Sequence, residues 1–280
     1  MGNRLQPILQ ATLQDLTLKK SVRSLAQLES DLRHGKAPAR RNFAQALRQN
    51  GQAEAENSPA GSSKNLAIIA EIKRNSPSMG AIATDNMDVA TQAQHYEKGG
   101  ANCLSILTEP HFFKGNLADM QAGRAAVAVP VLRKDFMIDR WQLAETRLMG
   151  ADCALLIVAA LGRDTASMLN AAQDYGLDVL VEIHDRAELD IALAANAKMI
   201  GVNNRNLTSF HVDLAIAEKL RPHIPGHIIA IAESGLKEIS DYRRMRDAGY
   251  DAVLVGTSLM KSGDPAARLA AIRQGLANTS

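Results

Sequence analysis

Cysteine is scarce in this chain of 280 residues, with Cys103 and Cys153 the only two. They sit inside the apolar runs NCLSIL and DCALLIV, without the close spacing of metal or redox motifs. That excludes a disulfide framework, and both read as buried small hydrophobes. A surplus of one charge is also missing: 32 Lys and Arg face 30 Asp and Glu, scattered along the chain. Neither a nucleic acid nor a membrane surface is therefore expected as a partner. The longest apolar stretch, CALLIVAALG, is far shorter than the roughly 18 residues of a membrane span. The opening MGNRLQPI lacks the layout of a secretory signal, and Gln6 stands where a myristoylation motif wants Ser or Thr. Cytoplasmic residence is the expectation. No His, Cys and carboxylate grouping has metal-ligand spacing, no Ser-His-Asp arrangement is visible, and no Gly-x-Gly-x-x-Gly follows the first apolar run. No metal and no cofactor are expected.

What is present is a globular composition, 46% hydrophobic and 22% charged. Residues 5 to 49 carry loose helical periodicity interrupted by HGKAP, and GQAEAENSPAGSSKN then has the composition of a mobile surface segment. From residue 66 onwards, short and nearly continuous apolar runs alternate with amphipathic segments. The runs are LAIIAEIK, NCLSIL, VPVLRK, DCALLIV, DVLVEI, MIGVNN, HIIAIAE and AVLVG. Continuous Val, Ile and Leu suit strands covered on both faces, which means a parallel sheet with helical crossovers. Eight such units predict an α/β fold, a (β/α)8 TIM barrel with an N-terminal helical extension. The expected division is residues 1–64 as extension and flexible linker and 65–280 as the barrel catalytic domain, one structural domain overall.

In barrels of this kind the active site lies at the C-terminal ends of the strands, so polar residues ending apolar runs are the informative ones. Glu71 and Lys73 end the first run, Lys134 and Asp135 the third, Glu182 the fifth, Asn203, Asn204 and Arg205 the sixth, and Glu233 and Ser234 the seventh. A single charge of this kind is an ordinary solvated rim pair. Two lysines and three glutamates converging on one small mouth cost several kcal/mol per ion unless they neutralise one another or bind something. ESGL and VGTSLM place glycine beside hydroxyl residues after the last two runs, the usual makings of a barrel phosphate cradle. Of the seven histidines, only His184 sits near a strand end.

The stretches AEIKRNSPSMG, LSILTEPHFFKG, LRKDFMID, ALLIVAAL, LVEIHD, IGVNNRNL, IAESGL and VLVGTSLM follow one another at the ends of the runs. Together they resemble the indole-3-glycerol phosphate synthase family. The resemblance implies ring closure of 1-(o-carboxyphenylamino)-1-deoxyribulose 5-phosphate with loss of carbon dioxide and water, in tryptophan biosynthesis. It assigns Lys134 as general acid, Glu182 as base in the dehydration, and Lys73 as a contact for substrate anionic groups. Glu71, Asn203 and Glu233 would orient the lysines and hold sugar hydroxyls, with Arg205 supporting them. Phosphate would bind at Ser76, Ser234, Gly235, Gly256 and Thr257. Pro77, Phe113, Phe136, Leu155, Ile157 and Leu254 would form the apolar pocket for the aromatic ring. The family's N-terminal helix folds over the barrel mouth, which makes residues 5 to 49 a candidate lid. The only partner expected is a small phosphorylated substrate, with the chain a monomer or weak homo-oligomer. A class I aldolase-type lyase, with Lys134 or Lys73 as Schiff-base nucleophile, is the competing enzyme. A catalytically silent phosphosugar-binding protein is the competing non-enzyme.

Overall fold

The structure is a computed structural model that describes residues 5–52, 65–83, 87–206 and 209–277. Most of the predicted linker, residues 53–64, lies outside the described residues. The eight apolar runs are eight parallel strands: β1 (Ala67–Ile72), β2 (Cys103–Leu107), β3 (Val131–Lys134), β4 (Cys153–Ile157), β5 (Asp178–Ile183), β6 (Met199–Asn203), β7 (Ile229–Glu233) and β8 (Ala252–Val255). They pair in sequence order, and the ring closes because β8 also pairs with β1, Ala67 opposite Ala252. Four of the crossover helices start on side-chain caps, Asp88, Asn116, Asp139 and Asp185 each accepting a backbone N–H of the first turn. Several of the turns back into strands pass through a left-handed glycine, with φ of 91° at Gly100, 92° at Gly150 and 91° at Gly249.

Strand parity sorts the side chains into two cores. Ile68, Ala70, Leu104, Val131, Ala154, Val181 and Ile200 face outward into the helical layer. Ala67, Ile69, Leu132, Leu155, Leu180, Met199, Ile231 and Leu254 fill the barrel interior. The same parity continues upward, so Glu71, Lys134, Glu182 and Glu233 stand inward one step above that apolar layer, and Asn203 two steps above Met199 with Gly201 between them. Arg133, at the alternate parity, points outward. It is 1% exposed and donates to Thr108, Asp135, Glu145 and Thr146 among the helices.

The N-terminal extension is three helices, α1 (Leu5–Val22), α2 (Leu25–Arg33) and α3 (Phe43–Gln52), and they do different jobs. On α1, Leu5 and Ile8 lie over the mouth of the barrel. Leu16 of α1 and Leu28 of α2 bury against Trp141, Ala144 and Leu148, and the Trp141 indole donates to Arg23 O at 2.7 Å. At the opposite end α3 closes the barrel floor: Phe43 and Leu47 pack with the lower interior core, and Phe43 N and Ala44 N donate to Asp178 at the foot of β5. The sequence reading of residues 5 to 49 as one lid is thus refined, because among the described residues of the extension only those of α1 line the mouth. No helix among the described residues is long and apolar enough to cross a membrane.

Candidate active site

A cavity of about 820 Å³ opens at the C-terminal ends of the strands. Every site residue expected from sequence lines it: Lys134, Glu182, Lys73, Glu71, Asn203 and Glu233 at its base, with Arg205 and the ring-pocket and phosphate residues around them.

At the base, Lys134 of β3 donates to Glu182 of β5 at 2.9 Å and to Glu233 of β7 at 2.8 Å. Burial opposes a charge on the amine, but the surrounding Glu182, Glu233 and Glu71 outweigh it and raise its pKa above the ordinary lysine value. The two carboxylates that share this amine part company. Burial raises both, but Glu182 also faces His184 and accepts from Asn203 Nδ2 at 3.1 Å, so with Lys134 it is held well below the usual carboxylate range. Glu233 has fewer partners, and its Oε1 is buried with no hydrogen-bond partner among the described residues. Burial and the nearby Glu182 charge push Glu233 up to about 7 against the pull of Lys134. One carboxylate stays ionised while its neighbour titrates near neutrality, an arrangement that separates acid and base roles. Lys73 donates to Glu71 at 2.5 Å on the adjacent wall.

Two glycines make room for these carboxylates. A Cβ on Gly201 would stand 2.1 Å from Glu233 Oε1, and one on Gly256 would stand 2.3 Å from Glu71 Oε1. After β7 the chain turns through two consecutive left-handed residues, Ser234 at φ 66° and Gly235 at φ 91°. Asn204, fully buried beside Asn203, donates to Ser234 O at 3.2 Å and fixes this turn. Opposite it, the loop after β1 carries Ser76, which is buried, and Ser78, whose hydroxyl accepts from Arg205 at 3.3 Å. Phe113 and Phe136 meet at a centroid distance of 6.2 Å, and Leu155, Ile157 and Leu254 continue the apolar wall. Phe113 is aimed by Glu109, a buried carboxylate that accepts the backbone N–H groups of His111, Phe112 and Phe113.

The match to known proteins covers this whole assembly: residues 5–272 fit the indole-3-glycerol phosphate synthase family. The chain belongs to that family. The indole-3-glycerol phosphate synthase of Chlorobium luteolum is 48% identical over 259 residues, 92% of this chain and 93% of the relative. That of Streptomyces griseus is 43% identical over 267 residues, 95% and 93% of the two chains. Among solved structures, a thiamine phosphate pyrophosphorylase from Pyrococcus furiosus superposes with a TM-score of 0.57 at 14% identity, over 75% of this chain and 95% of its own. At that identity the likeness speaks for the barrel fold alone. The sequence reading missed Lys237 and Lys261, two further cations lining the indole-3-glycerol phosphate synthase cavity. They lie beyond the strand ends, where parity no longer gives direction. It also gave His184, Asn204 and Glu109 no role, since a buried partner across the fold is needed to see one.

Proposed function

We propose that Lys134 and Glu182 are the acid and base with which this enzyme makes indole-3-glycerol phosphate. The reaction closes the ring of 1-(o-carboxyphenylamino)-1-deoxyribulose 5-phosphate with decarboxylation and dehydration. The observation that carries the assignment is the Lys134 amine held charged between Glu182 and Glu233 at the base of a cavity with one apolar wall. As the ring carbon attacks the ribulose carbonyl, negative charge grows on the carbonyl oxygen, and an ammonium there stabilises it and gives up a proton. Loss of carbon dioxide returns the electron pair of the broken C–C bond to the ring. Departure of the new hydroxyl as water then needs a proton delivered to that oxygen by an ammonium of the site and a proton removed from the adjacent ring carbon, whose C–H electron pair becomes the new double bond; Glu182, kept ionised, is the base that takes it.

Lys73, paired with Glu71, offers its charge to the substrate's anionic groups, and Asn203 and Glu233 hold the sugar hydroxyls. The unpartnered Oε1 of Glu233 supports that reading, because a buried oxygen of this kind gains most from a ligand hydroxyl. Ser76, the Ser234–Gly235 turn, Gly256 and Thr257 form the phosphate end. The barrel from residue 65 onward supplies the catalytic groups and α1 covers the mouth, so the site needs no second copy of the chain. A cytoplasmic monomer or weak homo-oligomer is the form in which we expect it to work.

The aldolase alternative asks for a lysine that is neutral and nucleophilic at working pH. The Lys134 site does the opposite, since three carboxylates raise its pKa. The test is to incubate purified protein with the carboxyphenylamino deoxyribulose phosphate and follow indole fluorescence with a chelator present. Turnover with no borohydride-trapped adduct supports the acid-base reading. A trapped lysine adduct would replace it with the Schiff-base one.

A further inference from the structure

Glu182 and His184 alternate on β5 and its extension, so both side chains turn toward the mouth. His184 Nδ1 lies 3.0 Å from Glu188 Oε2, and the same oxygen accepts the His184 backbone N–H at 2.8 Å. Glu188 is itself fixed on the first turn of the helix Arg186–Ala194, where its backbone N–H donates to the cap residue Asp185 at 2.9 Å. An ionised carboxylate has no proton to give, so the hydrogen of that contact sits on Nδ1.

The other ring nitrogen, Nε2, is buried 3.4 Å from Glu182 Oε1 and has no hydrogen-bond partner among the described residues. A neutral ring would turn a lone pair toward a carboxylate oxygen in a site shielded from water. A second proton converts that repulsion into an ion pair. Burial disfavours the charge, but Glu182 and Glu188 outweigh it and push His184 up to about 10. The charged groups around the pair are Glu188 on the helix and, facing Glu182 across the barrel, Lys134 on β3 and Glu233 on β7, with Glu71 on β1 near those two.

We propose that His184, anchored by Glu188, is a positioning residue whose imidazolium keeps Glu182 ionised and aimed after Lys134 has given up its proton. The chemistry creates the need. Once the ammonium has protonated the carbonyl oxygen, Glu182 has lost its main counter-charge just before it must accept a proton. A cation that takes no part in the first step keeps the base ready for the second. This rests on the reading of Glu182 as the base.

Two measurements test it on the full chain. Nitrogen-15 NMR of the His184 ring is expected to show an imidazolium at about pH 8, above the ordinary histidine range. A neutral ring there overturns the proposal. In His184→Gln and in Glu188→Gln, kcat at neutral pH is expected to fall about tenfold with KM within about twofold. The acid limb of the kcat profile should move up by about one pH unit, since removal of an opposite charge at this range raises a carboxylate pKa by that order. Glu188→Gln keeps an acceptor for the His184 backbone, so it gives the answer even if His184→Gln does not fold. An unchanged profile, or an equal loss at every pH, means a structural role only and overturns the proposal. Glu182→Gln separates the two readings: full turnover in it refutes Glu182 as base, whatever the His184 ring shows.

Discussion

Gly201→Ala puts one methyl group at the point where the site has no room. The new Cβ would stand 2.1 Å from Glu233 Oε1 and 3.2 Å from Glu233 Cδ, with Leu180 Cδ1 also at 3.2 Å. Since β6 and β7 are locked in register, Met199 opposite Ile229 through Asn203 opposite Glu233, the backbone cannot step aside. The Glu233 side chain must swing away, which breaks its 2.8 Å hydrogen bond from Lys134 and leaves the amine on Glu182 alone. A hydrogen bond to a charged group is worth about 1.5–3 kcal/mol, and each 1.36 kcal/mol is about tenfold in rate. Turnover should therefore fall by about ten- to a hundredfold while the barrel stays folded. The decisive assay is a double-mutant cycle read by indole fluorescence. In a Glu233→Ala background the methyl meets only the end of the Leu180 side chain, Cδ1 at 3.2 Å, which needs to give by a few tenths of an ångström, so Gly201→Ala should there cost less than about twofold. Equal losses in both backgrounds would refute the steric argument, and so would a Gly201→Ala enzyme with normal turnover.

Arg133→Met leaves Asp135 and Glu145 without their buried partner. It should cost about 3–5 kcal/mol, roughly 10 °C in thermal midpoint, with the remaining activity of the folded fraction intact. Leu5→Ala with Ile8→Ala strips the part of α1 that lines the cavity. It is expected to raise KM about fivefold, equivalent to roughly 1 kcal/mol of apolar contact, and unchanged kinetics would remove the lid role of α1. Glu233 carries a pKa of about 7 against 4.5 when unfolded, so the folded state holds its proton more tightly. That contribution is complete below pH 4.5 and lost as pH rises through about 7, so the stability of the parent relative to Glu233→Gln should decline across that window in denaturant titrations.

The barrel was legible because strand parity and apolar continuity are local properties: every predicted run holds a strand, shortened by a residue or two where a loop takes over, as at Val129 and Pro130 before β3. The charged base of the site was legible for the same reason, since Glu71, Lys134, Glu182 and Glu233 end their strands at inward parity. What stayed hidden depends on contacts between distant segments. The helical pattern of residues 5 to 49 says that one face is buried, not that α1 covers the mouth while α3 closes the floor. Gly201 looks like any strand glycine until Glu233 is placed beside it. His184 was visible at a strand end, but its task appears only when Glu188 fixes one nitrogen and Glu182 faces the other.

If the Lys134 ammonium supplies the proton that drives ring closure, the turnover number of Lys134→Ala will register its loss. Removal of a general acid should lower kcat by about 10² or more, in a protein whose thermal unfolding shows it to be folded. A Lys134→Ala enzyme that closes the ring at a near-normal rate would mean that another group gives that proton.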